Sequence, residues 1–457
     1  MIQEDTISAI ATALGNAGVG IIRMSGIDSI KIADKIFRAA NKKKLSTAKD
    51  RSIIFGHVVD NNESIIDEAI ILIMRSPHSY TKEDIVELQC HGGRLVLNKV
   101  LMRTLEAGAR LAERGEFTKR AFLNGRLDLS QAQAVLDIIQ ARTETALKMA
   151  EKKLSGMTFD KIHNLRQMIL HLTAHIEAVI DFPEDDIDDV ILNEISDDLE
   201  KAIVEINTII KDETESKILN EGIEIAIIGK PNVGKSSLLN LLLNKDRAII
   251  TDIPGTTRDS IEDYINIKGI PIKIIDTAGI RQSNDKIEQI GIEHTKEYIN
   301  QAALILVLFD GSNELTVEDQ EIINLLHNRN VIALITKKDL YQNIDLTLIK
   351  KIFINSKIVN ISMKTNEGID ILKQAIVDNI NKISNSLDFV RNAKELDLMR
   401  KIKKNLEDAK ETLKLNTEID LVAIDLHSAL HLLDELTGES INEDLINEIF
   451  SKFCIGK

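Results

Sequence analysis

The sequence predicts an α/β plus all-α fold. It reads as an N-terminal α/β part, a helical part split in two, and a phosphate-loop α/β part inserted between the halves. Three observations predict this. Glu224–Ser237, EIAIIGKPNVGKSS, reads as a buried strand, a Gly-rich turn and the start of a helix. Strands alternate with helices across residues 221–380, the pattern of a doubly wound sheet. The stretches on either side have helical spacing, no strands, and neither reads as a complete fold.

Taken in order, Val19–Met24 reads as a strand and Ser29–Ala40 as a helix. Ser52–Val59, Glu68–Met74 and Ile85–Cys90 read as strands, and Leu95–Ala107 as a helix. Gly15, Gly18 and Gly20 do not make a dinucleotide fingerprint, because a strand follows them where one should precede; a loop is expected there. From Asp128, apolar residues such as Leu129, Ala132, Val135, Leu136 and Ile139 recur at helical spacing, and long helices are expected to about Leu219, broken at Asp181-Phe182-Pro183. Strands are expected at Ile223–Ile228, Ile272–Ile275, Leu304–Phe309, Val331–Ile335 and Ile358–Ile361, a closing helix near Ile369–Ile380, and a helical tail from about Leu387 to Ile449. Domain termini commonly lie close together, so one domain can be inserted in another. The expected division is 1–120, 121–217 with 385–457 as one helical domain, and 218–384 as the insertion.

The chain has 457 residues, 44% hydrophobic and 28% charged, enough for several cores. With 3% aromatics and no Trp, isoleucine and leucine must fill them. A net charge of −15 excludes binding nucleic acid through bulk electrostatics, so any RNA contact is local or delegated to a partner. Two cysteines, Cys90 and Cys454, make no disulfide framework and suit a reducing cytosol. The N-terminus has no basic and apolar targeting pattern, and no apolar run is long enough for a membrane; a cytoplasmic protein is expected.

Gly229-x-x-x-x-Gly234-Lys235-Ser236 is a phosphate-binding loop. Gly229 and Gly234 let backbone N–H groups turn towards phosphate oxygens. Asn232, Val233 and Ser237 complete the loop. Lys235 is placed to reach the β- and γ-phosphates, and Ser236 to bind Mg²⁺. Thr251–Asp259, TDIPGTTRD, is a polar loop in which one threonine can complete the Mg²⁺ shell and meet the γ-phosphate. Asp276-Thr277-Ala278-Gly279 follows a strand; Asp276 would hold Mg²⁺ through water, and Gly279 offers an unobstructed N–H to the γ-phosphate. Thr336-Lys337-Lys338-Asp339 ends another strand. A carboxylate at Asp339 can accept from guanine N1–H and N2–H₂, whereas adenine would leave it unpaired. Ser362-Met363-Lys364 would cap the base. Four motifs in this order on strand ends specify GTP.

With these residues the chain resembles the MnmE (TrmE) family of tRNA-modification GTPases. The resemblance runs end to end, through GVGIIRMSG, DIVELQCHGG, GEFTKRAFLNGRLDLSQAQAV, IDFPEDDID, LTGES and the terminal CIGK. It implies an N-terminal tetrahydrofolate-binding α/β domain that also dimerises, a discontinuous helical domain and an inserted P-loop GTPase domain. It implies action with an FAD-containing partner, MnmG, in a heterotetramer-type complex. Together they install an aminomethyl or carboxymethylaminomethyl group on the tRNA wobble uridine, with carbon from methylene-tetrahydrofolate. Arg23, Glu87, Arg126 and Lys457 match folate-contacting positions, where a methylene- or 5-formyl-tetrahydrofolate would bind. Basic groups suit the folate glutamate and a carboxylate suits the pterin edge. The family also implies K⁺ at Asn232, Thr251, Ile253 and Thr256 within the 251–257 loop (Thr251, Asp252, Ile253, Pro254, Gly255, Thr256, Thr257). Ser236 and Thr257 then hold Mg²⁺, and Glu288 in DKIE orients water, since Ile280 after DTAG cannot.

Two departures stand out. Thr336 replaces the usual Asn, and a hydroxyl has less reach, so weaker guanine affinity is expected. Met363 stands where a small residue is usual, and its bulk is expected to shift the loop. Cys454 reads equally as a reactive thiol or as a small residue packed at a helix end. His171/His175 and His427/His431 have i, i+4 spacing, but no further ligand completes a metal signature, and they read as helix-face histidines. The acidic run Glu184–Asp189 reads as a solvated turn. Two other functions compete: a ribosome-assembly GTPase switch, which predicts a basic appendage where this tail is acidic, and a folate-dependent enzyme with a merely regulatory nucleotide domain.

Overall fold

The computed structural model describes residues 5–181, 189–246, 264–275, 297–354, 356–385, 394–415, 419–437 and 443–457. The first sheet contains β1 (Ile7–Ile10), β2 (Ala17–Ser25), β3 (Phe37–Ala39), β4 (Ser52–Val59), β5 (Ile65–Met74), β6 (Ile85–Gly92) and β7 (Arg110–Leu111) in the order β3-β4-β5-β6-β2-β1-β7. It is antiparallel except for the β1–β7 pair. Helices α1 (Ser29–Ile36) and α2 (Arg94–Glu106) cover one face, burying Ile32, Ile36, Leu97 and Val100 against Ile22, Ile71 and Leu88. Alternation then puts Arg23, Glu87, Leu72, Ile70 and Phe55 on the other face. There Ile53 is 72%, Phe55 48% and Ile70 39% exposed.

Two readings of this region are corrected. The helix expected over Ser29–Ala40 stops at Ile36; Phe37 enters the core and pairs with Val58, so the sheet ladder overrides local helical preference. Gly18 and Gly20 belong to β2 and not to a loop. A Cβ on Gly20 would lie 2.6 Å from Leu97, so the glycine admits α2 against the strand.

The helical part comprises α3 (Glu116–Leu123), α4 (Leu129–Gln140), α5 (Glu144–Leu154), α6 (Met157–Asp181) and α7 (Asp189–Glu221), with α12 (Lys394–Lys414), α13 (Ile419–Thr437) and α14 (Glu443–Ser451) returning after the insertion. One core joins α4, α6 and α7 to the returning helices, including Leu165, Ile169 and Ile206 from the first half and Ile402, Leu426 and Phe450 from the second. Asp128 opens α4 with a capping box, accepting from the Gln131 N–H while the Gln131 side chain accepts from Asp128 N–H.

Helix α7 runs across residue 217 to Glu221 and leads through Gly222 (φ 79°) into the inserted sheet. That sheet has strands β8 (Ile223–Ile228), β9 (Tyr264–Ile267), β10 (Ile270–Ile275), β11 (Leu304–Asp310), β12 (Val331–Thr336) and β13 (Lys357–Asn360), in the order β13-β12-β11-β8-β10-β9. Only β9 is antiparallel. Helices α8 (Lys235–Asp246), α9 (Val317–Leu325), α10 (Leu346–Ile352) and α11 (Ile369–Asn385) flank it over two cores, one on each face. Continuous apolar strands such as LILVLFD are what burial on both faces requires. The loops after β8, β11, β12 and β13 therefore gather at one edge, where ligands bind in such sheets.

Candidate functional site

At that edge the loop after β8 turns through Asn232 (φ 63°) and Gly234 (φ 107°) into α8. A Cβ on Gly229 would meet Leu308 O at 2.8 Å, so the loop lies directly on β11. Lys235 Nζ donates to Gly229 O (2.5 Å) and Lys230 O (2.9 Å), folded over the loop whose N–H groups it would supplement; burial lowers its pKa. Lys230 is anchored outward on Asp319 at 2.8 Å. Val233 is buried, whereas Asn232 and Ser237 are exposed and Ser236 is partly buried.

The Thr336 hydroxyl does not extend towards a base. It is buried and directed at Val233 O (3.0 Å) and Phe309 O (3.1 Å), tying the loop after β12 to the phosphate loop and β11. Lys337 (φ 58°) donates to Asp310 at 2.5 Å. Burial pushes the Asp310 carboxyl up, but Lys337 and Ser312 outweigh it and hold the group at about 2. Asp339 accepts from Ser362 Oγ at 2.7 Å, a bond that lowers its pKa, and Ser362 Oγ accepts from Thr365 N. Lys338 reaches Glu367 on the next loop. A Cβ on Gly234 would collide with Met363 Cε, so the bulky side chain rests against the phosphate loop. Asp310 was missed by sequence reasoning; the signal was a lone acid at the end of a wholly apolar strand.

Thr251, Asp252, Ile253, Pro254, Gly255, Thr256, Thr257, Asp276, Thr277, Ala278, Gly279 and Glu288 lie outside the described residues, as do Glu184 to Asp188 of the acidic run.

A second constellation lies on the open face of the first sheet. Arg23 Nε donates to Glu87 across the β2–β6 pair at 2.8 Å. The Arg23 guanidinium stands 5.6 Å from the Tyr80 ring centre and 5.7 Å from that of Phe117. Arg126 covers Tyr80 at 4.7 Å. The 124–126 turn is held there by Asn124 donating to Thr81 O (2.6 Å) and Lys82 donating to Gly125 O (2.9 Å). Tyr80 OH is fixed by Thr118 Oγ1 at 2.9 Å. The C-terminus closes the group: Gly115 N donates to Cys454 O, and Ile455 bridges to Arg114. Burial and the Arg23 charge lower the Lys457 pKa, while Glu87 and Cys454 raise it. Arg23 and Arg126 thus meet at Tyr80, Glu87 is paired with Arg23, and Lys457 lies within electrostatic reach of Arg23 and Glu87. Neither Tyr80 nor Phe117 was singled out in the sequence, though each is a scarce aromatic in this chain.

Cys454 is exposed, which removes the reading of a packed residue at a helix end. Cys90 is buried, and burial together with Asp67 pushes its thiol to about 12. His427 bonds Glu177 at 2.9 Å in a cavity of about 490 Å³ between α6 and α13, beside the Arg166–Asp434 pair (2.7 Å). Among the described residues no His, Cys, Asp or Glu group of three or more is arranged to hold a metal. Among those residues, no helix is long and apolar enough to cross a membrane.

Comparison with known proteins adds independent support. Residues 6–126 match the model for the GTP-binding protein TrmE N-terminus, and residues 129–454 the model for the MnmE helical domain. The tRNA modification GTPase MnmE of Thermoanaerobacter pseudethanolicus is 46% identical over 457 residues, covering 99% of each chain. Those of Clostridioides difficile (46% over 464 residues) and Alkaliphilus oremlandii (43% over 469 residues) each match over 100% of both chains. Among solved structures, the G domain of the FeoB iron transporter of T. maritima is 27% identical over 35% of this chain and 98% of its own, with a TM-score of 0.26. Two family models in chain order and end-to-end relatives agree: the chain belongs to the MnmE family of tRNA modification GTPases.

Proposed function

We propose that this protein is a K⁺-activated GTPase that, with the FAD-containing MnmG and a methylene-tetrahydrofolate, adds an aminomethyl or carboxymethylaminomethyl group to C5 of the tRNA wobble uridine. The observation that carries the reading is the meeting of Arg23 and Arg126 at Tyr80, with Glu87 paired to Arg23 and Lys457 in electrostatic reach of both. A GTPase switch for ribosome assembly has no use for such a pocket.

The residues fit the groups they would hold. Tyr80 and Phe117 offer flat apolar surface to a pterin, Glu87 an acceptor for its amino edge, and Arg126 and Lys457 charge for the glutamate tail. A bound folate would supply the one-carbon unit; the chain's part is to orient it, with Cys454 within electrostatic reach of Lys457. At the other site the phosphate-loop N–H groups and Lys235 suit GTP phosphates, and Asp339, aligned by Ser362, suits guanine. Ser236 and Thr257 would hold Mg²⁺. Asn232 with Thr251, Ile253 and Thr256 would hold K⁺, a cation able to stabilise transferred charge as an arginine would. Glu288 would orient the attacking water.

We assign residues 1–120 to folate binding and dimerisation, 121–217 with 385–457 to the helical domain, and 218–384 to the G domain. The exposed Ile53, Phe55 and Ile70 support a second copy of this chain packing on the first sheet. The protein would act in the cytoplasm, and with −15 net charge would meet tRNA mainly through MnmG.

Purified protein, tRNA, GTP and carbon-labelled methylene-tetrahydrofolate, with and without MnmG, test the reading. Label in the wobble nucleoside is expected only in the complete mixture, and faster in K⁺ than in Na⁺. No label with every component present would overturn it. Equal GTPase rates in both salts, or a fully active Glu288→Ala, would overturn the catalytic assignment alone.

A further inference from the structure

We propose that helix α4 couples the Tyr80 pocket to the nucleotide loops through a stack of Arg142 on Tyr264. The inference rests on the reading of that pocket as the folate site.

Helix α4 is a 12-residue rod, about 18 Å long. Each end touches a different site. Just before it, Arg126 covers Tyr80. Its first turn is locked by the Asp128–Gln131 capping box, so Arg126 is held close to a rigid end. Just after it, the Arg142 guanidinium lies 3.4 Å from the ring centre of Tyr264, the first residue of β9. Tyr264 is 7% exposed, so the stack is shielded from water. A second contact fixes the same corner. Gly269 (φ 90°), in the β9–β10 turn, carries no side chain, and a Cβ there would lie 2.5 Å from Thr145 Oγ1. The corner between α4 and α5 is therefore fitted to the hairpin at two points.

The hairpin joins the two segments that would sense a γ-phosphate. The Thr251–Thr257 loop precedes β9, and β10 ends at Ile275, immediately before Asp276. A nucleotide contact made in either segment would act directly on the hairpin, and β10 is also paired with β8, the strand that leads into the phosphate loop. Arg142 and Thr145 are the helical contacts that would feel such a shift.

Helix α4 cannot absorb the shift by sliding. Midway along it, Gln133 and Asp137 join a buried cluster with Lys153 of α5, Glu213 of α7 and Glu395 of α12. Lys153 Nζ lies 2.9 Å from Glu213 and 3.4 Å from Gln133 Oε1, and Gln133 Nε2 lies 3.4 Å from Glu395. Helices α7 and α12 are the two connections of the inserted part. The rod is thus bound to the roots of the nucleotide part as well as to its hairpin.

Linkage makes the coupling reciprocal: nucleotide state changes folate affinity by the factor by which folate changes nucleotide affinity. The probe is 5-formyl-tetrahydrofolate, titrated calorimetrically into the full-length protein loaded with GDP or with a non-hydrolysable GTP analogue. Wild type is expected to differ between the two states by about five-fold or more, and Arg142→Ala by less than about two-fold. Tyr264→Trp keeps an aromatic face for Arg142 and should retain the difference. It is also the single tryptophan of the chain. Its emission should shift when the analogue replaces GDP, and should not shift once Arg142→Ala is added. Equal affinities in wild type, full coupling in Arg142→Ala, or unchanged Trp emission would overturn the coupling. Absence of folate binding in both states, with the emission shift intact, would instead overturn the pocket assignment and remove this proposal with it.

Discussion

The Thr336 hydroxyl lies 3.0 Å from the carbonyl oxygen of Val233, inside the phosphate loop, and 3.1 Å from that of Phe309. One proton shared by two buried carbonyls joins the ends of β11 and β12 to the phosphate loop. Thr336→Val keeps the shape and removes the donor. Loss of one buried hydrogen bond, with acceptors left unpaired, costs about 1–3 kcal/mol. GTP affinity should therefore fall roughly ten-fold or more with the fold intact. Affinity unchanged by fluorescent-nucleotide titration would show that Thr336 does not support the phosphate loop.

Asp339 is aligned by Ser362 at 2.7 Å, so specificity should reside in its carboxylate. Asp339→Asn exchanges an acceptor for a donor, which suits the C2 oxygen of xanthine. The variant should lose GTP and gain XTP binding. Competition titrations showing wild-type GTP affinity and none for XTP would remove Asp339 from the base site.

How much of this was legible follows from the range of each interaction. The phosphate loop and the strands feeding it are written locally, in Gly229, Gly234, Lys235 and a continuous apolar run, and could be read directly. Arg23, Glu87, Arg126 and Lys457 were reached by matching motifs, but their convergence depends on β2–β6 register and on a C-terminus folded back across Arg114. Tyr80 and Tyr264 gave no signal, because a stacked aromatic is defined by a partner distant in sequence. Phe37 was misread for the same reason: its partner Val58 comes from another strand. Thr336 was judged by comparison with asparagine, and its actual partner, a main-chain carbonyl, is invisible in any sequence.

The two thiols should differ sharply. Cys454 is exposed and within electrostatic reach of Lys457, whereas Cys90 is buried with its thiol pushed up to about 12. Iodoacetamide at pH 8 should modify Cys454 in the native protein and Cys90 only after unfolding, as read by peptide mass spectrometry. Equal labelling would mean that β6 opens readily.

The apolar face of the first sheet should hold two copies together. Phe55→Asp, placed opposite Ile70, puts a charge into that face without touching the core beneath. Sedimentation should show a dimer for wild type and a monomer for the variant, with GTP binding unchanged. A variant that stays dimeric would place the contact elsewhere.

The cluster around Lys153 should leave a mark on stability against pH. Asp137 has an ordinary value of 3.8; burial pushes it to about 6, against the pull of Lys153 and aided by Glu213, Glu395 and Glu221. Burial raises Glu395 as well. A carboxyl raised on folding binds its proton more tightly in the native state. Its contribution is fully present below about 3.8 and is lost as pH rises through about 6. Two decades of proton affinity correspond to about 3 kcal/mol. The N-terminal carboxylates run the other way. Burial raises Asp5 and Glu116, but Arg110 and Arg120 outweigh it and depress both, so their contribution is lost in acid. The two signs can be separated with Asp137→Asn, which cannot ionise. By urea unfolding followed through helical circular dichroism, the excess of the variant over wild type should grow from about 1.5 kcal/mol at pH 5 to about 3 kcal/mol at pH 8. A variant weaker than wild type at pH 8 would mean that the Asp137 charge is stabilised by Lys153, and that the cluster holds the helices together as an ionised network.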